Sequence, residues 1–391
     1  MNHVLFSIKS ECCGCEACAN ICPTSIITMQ EDEEGFYYPY IIDEKKCTNC
    51  GKCEKVCPMK HIVPVDDFQE KAYAGYARSE EEVKSCASGG LASAISRQFI
   101  RNGGIVYGVQ YYDDYQQVIF SRADRESDIE QYKTSKYVQA RKYEIYRRAA
   151  EDIKAKKKVL FIALPCECYA LQLYLGELTE NLYLCALMCH GPTSQAVHIQ
   201  YCNYLKKKHP GKISEFSVRY KLDGWKPYYI RAQFEDGYEH FEKFAESMYG
   251  IAFLYMKRPS CSTCQIKRRA IHADITIGDY HFAYGNTVQP NNKYGVSSCM
   301  VHTDKGKELI SCLDAFFLKD VAAKTVLYSE AYSHAIPARR NRLEYGHVFA
   351  EEGLQTACQL KSIAKIERRL AVKKKILRCG SRLKRLILRR S

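Results

Sequence analysis

The chain of 391 residues lacks any long hydrophobic run. A spanning helix needs about eighteen uninterrupted apolar residues, whereas the strongest runs here, VLFIALPC (159–166) and NLYLCALMC (181–189), have the length of buried strands. No membrane span is expected. The first residues, MNHVLFSIKSE, also lack the sustained apolar core of a secretory signal. The 21 cysteines therefore read as thiols of the reducing cytoplasm rather than as the disulfides of a small secreted domain. A basic body is missing as well. Of the formal net charge of +13, residues 361–391 account for all but one unit, with 13 Lys/Arg against a single Glu. The excess belongs to a tail, and no nucleic-acid partner is expected. With 46% hydrophobic residues the chain can fill two or three cores.

What is abundant is cysteine in a fixed spacing. CCGCEACANICP, from Cys12 to Pro23, and CTNCGKCEKVCP, from Cys47 to Pro58, both spell C-x2-C-x2-C-x3-C-P. This is the ferredoxin signature in which the fourth cysteine serves the other cluster. Three thiolates in one tight loop cap three corners of a cubane, and the fourth, past a turn, leads away. The expected ligands are Cys12, Cys15, Cys18 and Cys57 for one [4Fe-4S] cluster, and Cys47, Cys50, Cys53 and Cys22 for the other. The alternative, a pair of zinc knuckles, does not account for two four-cysteine repeats each followed by proline. Between the runs, EDEEGFYYPYIIDEKK (31–46) reads as a hairpin joining two halves of the module, residues 1–65. Cys13 reads as a packed neighbour.

After the linker HIVPVDDFQEK (61–71) the pattern changes. KAYAGYA, GIVYGVQYY and QVIFSRA read as strands, GLASAISRQFIRNG and YEIYRRAAEDIKA as helices. KKVLFIALP, CYALQLYLG, NLYLCALMC and SQAVHIQYCNYLKKKH then run strand, helix, strand, helix, as parallel pairing with right-handed crossovers requires. The fold class expected is an α+β ferredoxin-type dicluster domain followed by an α/β domain with a mixed sheet, residues 72–345. Sites in such sheets gather at the carboxyl ends of strands, where Cys166 and Cys189 fall. Cys261 and Cys264 form a C-x2-C loop in the basic surroundings of RPSCSTCQIKRRA. These four would suit a third cubane; the alternative is two buried apolar thiols and a loop that binds zinc or nothing. SCASGGLASAI places Ser88, Gly89 and Gly90 at a helix start suited to a phosphate or to ordinary packing. YKTSKYVQ gathers Lys133, Ser135, Lys136 and Tyr137, ligand donors or a solvated loop. DITIGDYH ends a strand at Asp279, a loop-edge carboxylate or a turn cap.

The order of these pieces resembles the coenzyme F420 hydrogenase/dehydrogenase beta subunit family over about residues 5–300: a dicluster ferredoxin, ASGG, SKY, a strand ending in PC, a strand ending in CHG, a C-x2-C loop and DITIGD. LPCE stands where many similar proteins have PCQ. The resemblance implies a third [4Fe-4S] cluster on Cys166, Cys189, Cys261 and Cys264. It implies FAD with its phosphates at Ser88, Gly89 and Gly90, and a flavin or substrate pocket at Ser135, Lys136 and Tyr137, with Asp279 at the cofactor site. The implied activity is an iron-sulfur flavoprotein oxidoreductase. It would pass electrons between the clusters and FAD and exchange hydride with a deazaflavin (coenzyme F420) or another organic donor or acceptor. Similar proteins also reduce chlorophyll derivatives or lie in bacterial polysaccharide gene clusters. The implied partner is a ferredoxin or a larger redox complex. An electron-relay subunit with no substrate of its own is the rival reading. A non-redox, metal-stabilised binding protein would leave eight ferredoxin cysteines idle.

Residues 346–391 read as a basic amphipathic helical tail, with Ile363, Ile366, Leu370 and Leu377 at helical spacing among lysines and arginines. Such a helix suits an anionic membrane surface, where each basic residue contributes on the order of 1 kcal/mol, or a docking site on an acidic partner. A cytoplasmic protein held peripherally at the membrane is the first of these expectations. It requires full-length protein to sediment with anionic vesicles more than a chain truncated before the tail; equal recovery of both in the pellet refutes it.

Overall fold

The two cysteine runs build two similar halves around one hairpin. In the computed structural model, which describes residues 5–65, 70–267, 270–284, 289–311 and 313–364, each run turns into a short helix carrying its third cysteine, Ala17–Ile21 and Lys52–Lys55. Both helices are entered through a left-handed residue at the same place in the motif, Glu16 (φ 63°) and Gly51 (φ 67°). Glycine adopts that conformation freely. Glu16 is held there by Arg141, whose Nε lies 2.9 Å from its carboxylate. Between the runs, β1 (Ile27–Glu31) and β2 (Tyr37–Ile41) pair antiparallel, Ile27 opposite Ile41. The expected hairpin is present and starts within the first half.

The body is an eight-stranded mixed sheet. Its strands are β3 (Lys71–Ala77), β4 (Ile105–Tyr112), β5 (Gln117–Ala123), β6 (Val159–Ala163), β7 (Leu182–Leu187), then, beyond a separate three-stranded sheet, β11 (Ile275–Asp279), β12 (Ser297–Val301) and β13 (Phe316–Val321). The separate sheet is β8 (Ile213–Tyr220), β9 (Tyr229–Phe234) and β10 (Glu239–Lys243), all antiparallel and in the order β10-β9-β8. The large sheet runs β13-β3-β12-β11-β7-β6-β4-β5. Its centre, β4, β6, β7 and β11, is parallel, and the remaining pairs are antiparallel.

Strand β6 shows why the sequence reads as an unbroken apolar run. All five of its residues are buried, because a central parallel strand is covered on both faces. Val159, Phe161 and Ala163 pack with the helices Ile145–Lys154, Pro165–Leu175 and Gln195–Lys208, and Leu160 and Ile162 with the helices Leu91–Arg101 and Asp304–Ser311. Phe161 stacks on Phe120 at 5.2 Å between ring centroids. Because β6, β7 and β11 are parallel neighbours, their carboxyl ends share one edge of the sheet. That edge carries Cys166, Cys189 and Asp279.

The ferredoxin module is seated on the body through its first cysteine loop. Gln139 Nε2 donates to the Cys13 carbonyl (2.7 Å), Lys142 Nζ to that of Gly14 (3.2 Å), Tyr146 to that of Cys15 (2.9 Å) and Arg258 Nε to that of Cys12 (2.8 Å). A bidentate pair of Arg342 with Glu34, 2.5 Å for each contact, adds a second attachment.

At the other end, helices Arg342–Glu352 and Leu354–Gln359 pack on the body, with Tyr345, Phe349, Leu354, Ala357 and Ile363 in its main core. The segment assigned to the tail thus begins in packed helix. Residues 365–391, with Ile366, Leu370 and Leu377, lie outside the described residues. Among the described residues no helix is long and apolar enough to cross a membrane.

Candidate functional site

The module's cysteines cross over between the runs. Cys12, Cys15 and Cys18 line one small cavity together with Cys57 from the second run, and Leu5, Phe6, Met29 and Pro39 complete its apolar wall. Cys22 packs instead beside Cys47 and Cys53 in a separate cluster, with Cys50 exposed. Burial raises the Cys18 thiol, and the neighbouring Cys15, Cys12 and Cys57 raise it further. This is the exchange of fourth cysteines that the spacing led us to expect.

A third group of thiols forms at the carboxyl edge of the sheet. Cys166 is the second residue of the helix Pro165–Leu175, Cys189 lies two residues past β7, and Cys261 and Cys264 belong to a 3-10 turn, Pro259–Thr263, and its end. Burial first, then Cys189 and Cys264, push the Cys261 thiol up to about 12. Cys166 also feels Cys189 and Cys264. Gly191 (φ 93°) makes the approach feasible, since a Cβ there would sit 2.9 Å from Cys261 Cβ. Cys13 stands between the first and third groups, its thiol hydrogen-bonded with Cys15 and with Cys166. Cys168, Cys185 and Cys202 are fully buried within helix or strand, as packing residues. Among the described residues, no three His, Cys, Asp or Glu side chains converge as they would on a single ion; a cubane is instead surrounded by its thiolates.

Beside the third group lies a cleft of about 370 Å³, within the size range of cofactor sites. Ser88, Gly90, Ser135, Lys136, Tyr137 and Asp279 all line it, and so does Cys189. Segments separated by up to 191 positions in the chain thus meet at one surface. Gly90 (φ 89°) opens the helix Leu91–Arg101, whose first turn borders the cleft. Gly89 has a different place: a Cβ there would lie 2.4 Å from the Gly75 carbonyl oxygen and 2.6 Å from the Ser297 nitrogen, so this glycine allows the helix start to press against the sheet. Lys136 turns its ammonium away to the carbonyls of Lys133 (2.7 Å) and Gln131 (3.1 Å), fixing its own loop.

The floor of the cleft holds residues that the sequence reading had not singled out. Arg219, on β8, donates to Asp279 Oδ2 (2.9 Å), to the Tyr137 hydroxyl (3.1 Å) and to the Ala87 carbonyl (2.8 Å), and its buried Nε has no partner. The Arg219 charge, against a burial penalty, holds the Asp279 carboxyl below the usual range. Lys221 donates to the carbonyls of Ser88 (2.7 Å) and Val83 (2.6 Å). In SVRYKLD these two basic residues alternate with Val218 and Tyr220, the pattern of a half-exposed strand. Nothing local marks them as buried. Glu167, the departure in LPCE, also lines the cleft, and pairs at 2.6 Å with the fully buried Lys142.

Lys136 gives a test of this packing. Burial lowers its pKa from 10.5 to about 7. Between those values the unfolded chain binds the proton that the folded chain has released, so stability rises with pH across that window. The urea midpoint of wild type should increase between pH 7 and pH 9, and Lys136→Met should flatten the increase; an equal slope in both would show that the ammonium is not desolvated.

Comparison with known proteins follows the same division. The family described as the C terminus of the coenzyme F420 hydrogenase/dehydrogenase beta subunit matches residues 156–319, which carry the third thiol group, β8 and Asp279. Two 4Fe-4S dicluster domain families match residues 11–61, spanning both cysteine runs, and residues 39–93. No curated protein matches significantly. A chain from a xenon-derivatized structure of the F420-reducing [NiFe] hydrogenase complex of Methanosarcina barkeri aligns over 76% of this chain and 93% of its own, at 16% identity and a TM-score of 0.43.

Proposed function

This chain joins a 4Fe-4S dicluster domain to a domain of the coenzyme F420 hydrogenase/dehydrogenase beta subunit family, and on that premise we propose that it is an iron-sulfur flavoprotein oxidoreductase. In this reading Cys12, Cys15, Cys18 and Cys57 hold one [4Fe-4S] cluster, Cys47, Cys50, Cys53 and Cys22 a second, and Cys166, Cys189, Cys261 and Cys264 a third. FAD in the cleft would supply the conversion between single electrons and hydride. The observation that carries the reading is the shared wall: Cys189 belongs both to the third thiol group and to the lining of the cleft formed by ASGG, SKY and DITIGD residues.

The residues present suit a dinucleotide. The helix start at Gly90 offers free amides and a positive dipole end to phosphate. Arg219, fixed by Asp279 and Tyr137, keeps one buried N–H unpartnered at the cleft. Apolar residues such as Leu187, Met188 and Phe253 exclude water from the remainder. The substrate proposed is a deazaflavin of the coenzyme F420 type or another planar organic hydride donor or acceptor, including one in polysaccharide biosynthesis. The redox partner proposed is a ferredoxin or a larger complex that docks at the module.

Two measurements test this. Protein prepared without oxygen should release FAD on denaturation; folded, cluster-replete protein that holds no flavin even after reconstitution would sink the reductase reading and leave a relay subunit. The same protein should carry about twelve iron atoms per chain, and Cys264→Ser should bring this toward about eight, with the ferredoxin-type clusters still reducible by dithionite and flavin reduction slowed. Unchanged iron in separate Cys166, Cys189, Cys261 and Cys264 variants would mean that these thiols are merely packed.

A further inference from the structure

Arg258 is a buried cation with no carboxylate partner. It is 1% exposed. Its Nε donates to the Cys12 carbonyl (2.8 Å), Nη1 to Gln139 Oε1 (3.0 Å) and Nη2 to the Tyr37 carbonyl (3.0 Å), while Nη2 also lies 3.6 Å from Cys12 Sγ. The guanidinium stands 4.2 Å from the ring centroid of Tyr38 and 5.6 Å from that of Phe36. All of these partners except the thiol are neutral.

The other buried cations near the site are treated differently. Arg219 pairs with Asp279, Arg342 with Glu34 and Lys142 with Glu167. Burial brings Lys136 and Lys221 down to about 7, so they can shed their charge. Arginine cannot do so. A permanent charge buried without a counter-charge is costly, and among the described residues the charges that favour protonated Arg258 are Cys12 first, then Tyr38, Cys13 and Cys261. Of these, Cys12 is in direct contact. A [4Fe-4S] core with four thiolates is anionic, and reduction makes it more so.

We propose that Arg258 is the counter-ion of the cluster ligated by Cys12, and that its charge raises the reduction potential of that cluster. The step it favours is the transfer of one electron from a reduced iron-sulfur donor into the cluster. No bond is made or broken, and no proton need follow, because Arg258 supplies a permanent positive charge. With Cys50 exposed on the other cluster, this sets an inward gradient, from the surface cluster to the one seated against the body. Gly14 is part of the device: it adopts φ 66°, and a Cβ there would lie 2.5 Å from Arg258 Nη1, so only glycine lets the guanidinium reach the loop. Arg258 acts through the cluster and is a positioning residue.

The test is a potentiometric titration of full-length, anaerobically reconstituted protein followed by electron paramagnetic resonance. Arg258→Gln should lower the equilibrium constant for reducing the Cys12-ligated cluster by about tenfold or more, ~59 mV for one electron. The cluster of Cys47, Cys50, Cys53 and Cys22 should keep its potential, which a general loosening would not spare. Arg258→Lys, which retains the charge, should stay within about threefold of wild type. An Arg258→Gln protein with full iron and wild-type potentials overturns the proposal. If that variant does not hold its iron, Arg258→Lys decides: near-wild-type potential at full iron supports the charge, and a tenfold fall overturns it. The readout requires neither flavin nor the third cluster, so it stands or falls separately from the function proposed above.

Discussion

Four consecutive carbonyls, those of Cys12, Cys13, Gly14 and Cys15, are each taken by a buried side chain of the body: Arg258, Gln139, Lys142 and Tyr146. A cysteine loop that wraps a cluster turns its amides toward the sulfurs, so its carbonyls must find donors elsewhere. Leaving one of them buried and unpaired costs about 1–3 kcal/mol. The α/β domain supplies every donor in this loop, and the rest of the architecture depends on that seam. It fixes Cys13 between Cys15 and Cys166, and it brings the module's first loop against the carboxyl edge of the large sheet.

That edge is the product of topology. Strands β6, β7 and β11 are parallel neighbours, so the segments that follow them emerge at one side and deliver Cys166, Cys189 and Asp279 within one region. The separate sheet β8–β10 then closes the floor with Arg219 and Lys221. Buried cations recur along the whole route from module to cleft, but their counter-charges differ. Carboxylates serve Arg219 and Lys142, whereas Arg258 faces only neutral groups and sulfur. Charge placement along this route is as much a part of the protein's redox character as its thiols, because electrons entering a low-dielectric interior need positive charge nearby.

Much of this was legible in the chain. The C-x2-C-x2-C-x3-C-P repeats carry their chemistry in spacing alone, since a cubane loop is local and its length is fixed by the cluster. The strands at 71–77, 117–123 and 159–163 are equally plain, because central strands covered on both faces must be continuous apolar runs. Cys168, Cys185 and Cys202 were separable from Cys166 and Cys189 by position, the former inside elements and the latter just past their ends. The ASGG, SKY and DITIGD segments each had an ordinary explanation when taken singly, and only their order suggested a shared site.

The sequence by itself determined the ferredoxin-type module, the mixed α/β body and the thiols at strand ends, because each follows from local spacing or from the period of burial along an element. Only the tertiary structure decided that Ser88, Gly90, Ser135, Lys136, Tyr137 and Asp279 line one cleft, that Gly89 is a packing glycine beside it, and that the Lys136 ammonium serves its own loop. It alone revealed Arg219 and Arg258, since a basic residue on a strand or before a turn looks solvated until distant segments close over it. The charge of a side chain is written in the sequence, but its burial and its counter-charge depend on contacts across as many as 246 positions, as between Arg258 and Cys12.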